Sequence, residues 1–140
     1  MSLTLVKPYF ITQCKAASLK EWPDAFNIEN VPNSIIDNSF HVLLNTVDGI
    51  KLNQHIQELN CGASVTFWIK GYKDPSSGLD KAIAKSEELL KLCLKPSNRI
   101  GTCVKNIILN SVNFDRLADS NDNAIKVTMI FTALTSLAVD

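Results

Sequence analysis

Two histidines are the first candidates for acid–base chemistry, because imidazole changes its charge near neutral pH. His41 lies in an alternating apolar segment and His55 in a polar one. No GxSxG, HExxH or phosphate-loop glycine pattern is present, and no carboxylate or nucleophile accompanies His41 at a spacing that catalytic motifs use. We therefore interpret His41 as an ordinary strand residue. We expect no catalytic residue, and a protein that is not an enzyme.

The four cysteines are scattered: Cys14, Cys61, Cys93 and Cys103. No two form a CxxC motif, and none has a histidine at zinc-finger spacing. The pattern favours four reduced thiols in a cytosol, acting as small hydrophobic side chains. Cys61 directly precedes Gly62, as a nucleophile before a turn would, but a loop thiol explains that pair at least as well.

A run of oxygen-bearing side chains near the C-terminus superficially resembles a calcium loop. Its members are Asp115, Asp119, Asn121, Asp122 and Asn123. The run lacks the glycine and the terminal glutamate of an EF-hand loop. Asn and Asp also tolerate left-handed backbone geometry, which makes a hairpin turn the better interpretation. We expect no metal and no cofactor.

Composition indicates one neutral globular domain. The chain has 140 residues, of which 46% are hydrophobic, and its net charge is 14 − 14 = 0. A neutral chain lacks the basic patch that binds free nucleic acid or an anionic membrane. It also has little charge repulsion against self-association, which favours an obligate oligomer. The first ten residues lack the pattern of a signal peptide, and no apolar run reaches the ~20 residues of a membrane span.

Hydrophobic periodicity predicts two helices and four strands. The predicted helices are Lys7–Leu19 and Gly78–Leu94, and the predicted strands are Phe40–Val47, Ser64–Tyr72, Val104–Leu117 and Ala124–Val139. The order α-β-β-α-β-β predicts an α+β domain, with a mostly antiparallel four-stranded sheet and helices packed on one face. Within the third strand, the apolar pattern changes phase before Phe114, which indicates a bulge.

The second helix has the clearest sequence signals. Ser76 or Ser77 is the expected N-cap, and Pro96 ends the helix at Lys95. We expect Leu90 to be buried. Its predicted apolar stripe comprises Leu79, Ala82, Ile83, Ser86, Leu89, Leu90, Cys93 and Leu94.

The mostly polar segment Asp48–Gly62 is predicted to be a long loop or arm between two strands. We expect it to be mobile in the free subunit and to dock through Leu52, Ile56 and Leu59 on assembly.

The sheet face away from the helices mixes apolar and polar side chains. Thr66, Trp68, Lys70, Thr128, Thr132, Leu43, Ile108 and Ile130 are expected there. A surface too apolar for solvent and too polar for a core fits contact with a partner. Trp68 is a candidate interface anchor, as is Trp22, which could equally be packed under the N-terminal segment. The candidate interface residues are Trp68, Lys70, Tyr72, Lys51, Gln54, His55 and Arg116.

From about Trp22 to Val139, the chain resembles phage tail terminators, also called tail completion or minor tail proteins. WPDAFN leads through VPNSIIDNSFHVLL into the first strand, and an arm-like segment precedes the strand VTFWIKGY. The helix DKAIAKSEELLKLCL and the closing strands NIILNSVNF and AIKVTMIFTA follow. The shared features are patterns of size and order, with no catalytic motif among them.

This resemblance implies a virion protein of the phage tail that is assembled in the host cytoplasm. The subunit would form a hexameric ring that caps the tail tube, ends its polymerisation and meets the head–neck proteins. Genomic DNA would pass through the ring without sequence recognition, and no membrane would be involved. Alternatives are a head-closure or neck protein, a small ferredoxin-like ligand-binding or enzyme domain, and a toxin–antitoxin or secretion-system component.

Overall fold

The computed structural model describes residues 5–21, 37–52, 56–70, 74–116 and 124–138, without the side chains of 50–52, 56, 75, 137 and 138. Its fold is α+β, as predicted from the order of the elements. Three helices are present in this part of the chain, namely α1 (Val6–Ala16), α2 (Pro75–Leu94) and α3 (Pro96–Arg99). The strands are β1 (Lys20–Glu21), β2 (Ser39–Leu52), β3 (Ile56–Lys70), β4 (Val104–Arg116) and β5 (Ala124–Ala138).

The sheet has five strands in the order β1-β2-β3-β5-β4, so the predicted four-stranded antiparallel sheet is wrong in strand number and arrangement. The extra strand, β1, pairs parallel to β2 through Lys20↔Ser39 and Glu21↔Phe40. Two residues are too few to show a period, which is why the sequence pattern did not reveal this strand. The four long strands are antiparallel to one another, as expected.

One face of the sheet, hereafter the helix-covered face, carries the core. Val65 and Phe67 of β3 are fully buried there, beside Val127 and Met129 of β5. Helix α1 packs over β2 and β3, and α2 packs over β3, β4 and β5. Both helices therefore lie on one face, as predicted. The opposite face, which no described helix covers, is called the open face.

The segment predicted to be a mobile arm is instead part of a long hairpin. Residues 48–52 belong to β2 and residues 56–62 to β3, with pairs such as Asp48↔Asn60 and Gly49↔Leu59. On its other side, β3 pairs with β5 as far as Ile56↔Ala138. The polar composition was misleading because residues 48–52 of β2 lie beyond the part that β1 covers, where side chains need not be apolar, and because residues 56–62 of β3 are ordered by pairing on both sides.

Bulges interrupt the pairing of both outer long strands. In β2 the register shifts between Leu44 and Thr46 and again between Gly49 and Lys51. At the first shift, Gly62 faces Thr46 so closely that a methyl group on Gly62 would collide with the Thr46 hydroxyl. Strand β4 shifts between Val104 and Asn106 and between Leu109 and Ser111. The latter is the bulge predicted ahead of Phe114.

Helix α1 is held against the rest of the core through aromatic side chains. Phe10 is fully buried and its ring centroid lies 5.2 Å from that of Phe131 on β5. The Tyr9 hydroxyl donates a 2.6 Å hydrogen bond to the carbonyl oxygen of Cys93 in α2. Burial is the largest cause that raises the pKa of Tyr9 to about 12, so the phenol remains a neutral donor at physiological pH.

A Schellman motif ends α1. Ser18 adopts left-handed backbone geometry with φ 65°. Its N–H donates to the carbonyl oxygen of Lys15, and the N–H of Leu19 donates to the carbonyl oxygen of Cys14. Leu19 is buried, which supplies the apolar contact typical of this motif. The position is usually glycine, because any Cβ is crowded there.

Helix α2 begins earlier than predicted. Asp74 is the N-cap, and its carboxylate accepts a 2.8 Å hydrogen bond from the N–H of Ser77. Pro75 occupies the first helical position, where a missing N–H costs nothing. The expected cap at Ser76 or Ser77 was therefore wrong. Leu89 is the fully buried leucine of this helix, whereas Leu90 is only partly buried.

We expect Ser18→Gly to raise the free energy of unfolding by about 0.5–1 kcal/mol, because glycine relieves the left-handed strain at the end of α1. Urea denaturation measures the change. Ser18→Ala, which keeps the Cβ, is the control and should bring no gain. Equal stability of the glycine and alanine variants would contradict the strain argument.

Leu59→Ala tests whether the former arm belongs to the core. Leu59 is buried, so its truncation should cost about 2–5 kcal/mol of folding free energy. Asp48→Ala, at an exposed position of the same hairpin, should change stability by less than about 0.5 kcal/mol. A mobile arm would instead make both substitutions neutral in thermal or urea unfolding.

Candidate self-association surface

Of the seven residues predicted at an interface, the four that the structure describes do not form one patch. In the β2–β3 ladder, Lys51 lies opposite Glu58 near the tip of the hairpin. Trp68 and Lys70 lie at the other end of β3. Arg116 is exposed at the end of β4 and pairs with Ile125, which puts it on the helix-covered face. Tyr72, Gln54 and His55 lie outside the described residues.

Trp68 is buried although it lies on the open face. Only 2% of its surface is exposed, and its carbonyl oxygen accepts a hydrogen bond from the N–H of Asn38. The backbone N–H of Lys70 donates to the Asp37 carboxylate at 2.8 Å. This end of β3 is thus tied to the 37–38 turn. The indole is not available at the surface of this subunit.

His41 and Thr66 on the same face are buried as well, whereas further along the strands the open face has exposed apolar side chains between hydroxyls and amides. Leu43 and Ile108 are exposed there. Asn45 donates to the Ser64 hydroxyl at 3.0 Å, and Asn110 donates to the Thr132 hydroxyl at 2.8 Å. The mixed character predicted for this face is therefore present.

On both sides of the sheet, a long strand has backbone groups with no partner strand among the described residues. Within the described ranges, β4 pairs only with β5, so its outer edge is open along Val104–Arg116. On the other side, β1 covers β2 only at Ser39 and Phe40. An open edge presents N–H and C=O groups that can pair with another chain.

Both edges carry apolar side chains that the helices leave uncovered. On β2, Leu44 and Val47 point to the helix-covered side but are 37% and 41% exposed. On β4, Val112 is partly buried and Phe114 is 37% exposed, also on that side. The helix layer is therefore narrower than the sheet beneath it.

Helix α2 extends this apolar surface along its side nearest β4. Leu79 and Ile83 are 40% and 44% exposed. At roughly 100° per residue, they lie on the opposite side of the helix from Lys85, whose ammonium contacts the Ala17 carbonyl oxygen next to α1. We call the combined surface the apolar flank. It comprises Leu79, Ile83, Leu90 and Leu94 of α2 with Val112 and Phe114 of β4.

Sequence reasoning placed the α2 members of the apolar flank in the core. The width of the predicted stripe could have distinguished these residues from the buried ones. Its eight positions span more of the helix circumference than the roughly 100° that one buried face needs, so the outermost positions must be exposed. Ala82, Leu89 and Cys93 form the buried centre. Leu79 and Ile83 lie at the margin.

A cavity of about 270 Å³ lies between α1 and the segment that precedes β4. Its polar groups are bound to the protein itself: Gln13 accepts from Asn98 at 3.3 Å, and Tyr9 bonds to Cys93. The lining residues are Leu5, Pro8, Tyr9, Thr12, Gln13, Asn98, Gly101, Thr102 and Cys103. The cavity walls are thus mainly apolar, with no nucleophile and base placed together.

A second cleft, beside the middle of α2, has charged walls. Lys85 pairs with Glu88 at 3.1 Å while also bonding to the Ala17 carbonyl oxygen at 2.7 Å. Asp37 accepts from the Lys70 N–H across the same cleft. These contacts join α1, α2 and β3. The arrangement is structural, because each named group already has a partner within the protein.

The thiols are placed as core residues. All four cysteines are buried and unpaired. Burial raises the pKa of Cys14 and Cys61, and it raises the pKa of Cys93 to about 12. Protonated thiols are poor nucleophiles and poor metal ligands. Cys61, the alternative nucleophile, lies in β3 rather than in a loop.

Two comparisons with known proteins and two structural searches bear on the class of this chain. No protein-family model matches the chain, and no match is found among the curated proteins. Among the residues that the structure describes, no group of three or more His, Cys, Asp or Glu side chains could hold a metal ion. In the same residues, no helix is long and apolar enough to cross a membrane.

We expect the native protein to react slowly with a thiol reagent such as dithionitrobenzoate, because all four of its thiols are buried. In denaturant all four cysteines should react rapidly. Absorbance at neutral pH follows both reactions. A fast native phase would show that a thiol is accessible, and mass spectrometry of the labelled peptides would identify it.

Proposed function

We propose that this chain is a structural virion protein of a tailed bacteriophage, which caps the tail tube as a hexameric ring. In this role it ends tube polymerisation and provides the surface that joins the tail to the head–neck proteins. The proposal combines the sequence resemblance with one structural observation. The two outer long strands, β2 and β4, have open edges among the described residues, and both carry exposed apolar side chains. Such surfaces suit a protein that functions by assembling with copies of itself.

Charge supports self-assembly over binding to an oppositely charged partner. The net charge is zero, so copies of the chain do not repel one another at long range. Among the polar side chains of the two edges are exposed apolar ones, including Leu43, Leu44 and Val47 on β2 and Ile108 and Phe114 on β4. An interface between copies can thus be formed by apolar burial, without an ion pair that must first lose its water.

The open face is proposed to line the channel through which DNA passes. Its centre, around Ser64, Thr128 and Thr132, carries hydroxyls and amides rather than charges. Charged residues lie towards its two ends, Asp115 and Lys126 at one and Asp48 and Glu58 at the other. The uncharged centre neither traps nor repels a phosphate backbone, which suits passage without sequence recognition.

A head-closure or neck protein is the principal alternative, because it would use the same self-association surface at another position in the virion. A small ferredoxin-like enzyme or ligand-binding domain would instead use the 270 Å³ cavity. The polar groups there are engaged with the protein, which favours assembly as the function.

Size-exclusion chromatography with light scattering tests the assembly. We expect a species of about six subunits, alone or once tail tubes are added, because the resemblance implies a hexamer and head-to-tail contacts close into a ring when their rotation angle allows it. In the same mixtures, electron microscopy should show tubes of uniform length that end in a ring. Omitting the protein, or adding an equal amount of heat-unfolded chain, provides the control and should leave tube length variable.

A strict monomer at high concentration that also leaves tube length unchanged would contradict the proposal. A ring that binds purified head–portal complexes but not tubes would favour the head-closure alternative.

A further inference from the structure

We propose that the ring closes through one head-to-tail junction, in which the β4 edge and apolar flank of one copy receive the β2 edge of the next. This inference rests on the proposed ring and assigns the two surfaces that form it. The partner is therefore a second copy of this chain, and each copy uses both of its surfaces.

The direction of the strands permits this junction. Across the sheet, β2, β3, β5 and β4 alternate in direction, so β4 runs opposite to β2. In a ring whose axis runs roughly along the strands, the rotation that relates one copy to the next preserves the direction of every strand. The β2 strand of the next copy would therefore lie antiparallel to β4, and the sheet would continue without a parallel step. An odd number of long strands would not allow this.

Strand β1 sets the stagger of the junction. It already occupies the β2 edge at Ser39 and Phe40, so a neighbour's β4 must pair with the residues that follow. Directly paired residues share a face, and the first residue of β2 beyond β1 that shares the helix-covered face with Arg116 is Val42. With Arg116 opposite Val42, Phe114, two residues earlier, comes alongside Leu44 of the next copy. A stagger of this kind is also what a closed sheet requires.

The side chains at this stagger are complementary. A head-to-tail repeat keeps the helix-covered faces of neighbouring copies on the same side. Leu44 and Val47, which their own helices leave exposed, would extend over Phe114 towards Leu79 and Ile83 of the adjacent α2. Burying these groups together removes from water the apolar surface that the single subunit exposes at both edges.

A two-fold dimer through paired β4 edges is the competing arrangement. It would cover the apolar flank of both partners but leave Leu44 and Val47 of each copy exposed. Two-fold contacts use the same patch on both copies, whereas the head-to-tail junction uses two different patches. Mixing variants with opposite defects separates the two arrangements.

The experiment uses two double variants of the full chain. Leu44→Glu with Val47→Glu disables the β2 edge, and Leu79→Glu with Ile83→Glu disables the apolar flank. All four positions are at least about one-third exposed in the subunit, and circular dichroism and thermal melts check that each variant folds. Lys81→Glu, on the opposite side of α2, is the matched control and should assemble like the unaltered protein.

Light scattering should give monomers for each double variant alone and a 1:1 dimer for their mixture, since only one intact junction remains. Assembly by either variant alone would overturn the head-to-tail junction, and so would a mixture that stays monomeric while the unaltered protein forms rings. In those two outcomes the ring survives with another interface. An unaltered protein that never assembles, with or without tail tubes, overturns the ring and the junction together.

A cross-link tests the same junction if a charged variant does not fold. Leu44→Cys and Phe114→Cys in one chain should give a ladder of disulfide- or bismaleimide-linked oligomers, because each copy links to two neighbours. Either single substitution should give no ladder, since the four native thiols are buried. A product that stops at the dimer in the double variant would indicate the two-fold arrangement instead.

Discussion

The ladder between β3 and β5 is the constraint on which the rest of the structure depends. It contains fifteen consecutive antiparallel pairs, from Ile56↔Ala138 to Lys70↔Ala124, without a bulge. A one-residue slip would exchange the two faces of either strand, so the apolar alternation of both strands enforces this register. The helix-covered face that results, with Phe67 and Phe131 at its centre, is where α1 and α2 pack.

Irregularity is confined to the strands beside this central pair. Both β2 and β4 contain two register shifts, and both are exposed on the side away from the ladder. Bulges increase local twist and disfavour unlimited pairing between flat edges. Gly62 shows how the regular strand adapts, because its missing side chain admits Thr46 at a bulge. The centre of the sheet thus gives the fold its stability, while its margins remain available for assembly.

Sequence reasoning recovered the elements that have a full period. The alternation in β5, the helical spacing in α2 and the bulge in β4 were all predicted. It failed where pairing between distant segments determines the structure. Strand β1 is too short to show a pattern, and the polar hairpin beyond Asp48 is ordered because β3 pairs with β5. For the candidate surface, the mixed open face was predicted. The apolar flank was not, because a hydrophobic residue at the margin of a helix stripe has the same sequence signature as one at its centre.

Open apolar edges promote aggregation, and a neutral protein has no charge repulsion to prevent it. Features that restrict pairing at these edges therefore favour ordered assembly. With no net charge to keep copies apart, short-range geometry must determine which contacts form. The β1 pair closes the start of one edge, while Lys105 and Asp115 place charges near the two ends of the other. A head-to-tail contact that is confined to one stagger repeats with one rotation angle, and such a contact closes into a ring when that angle divides the circle. The same apolar side chains with unrestricted edges would instead favour open-ended aggregation.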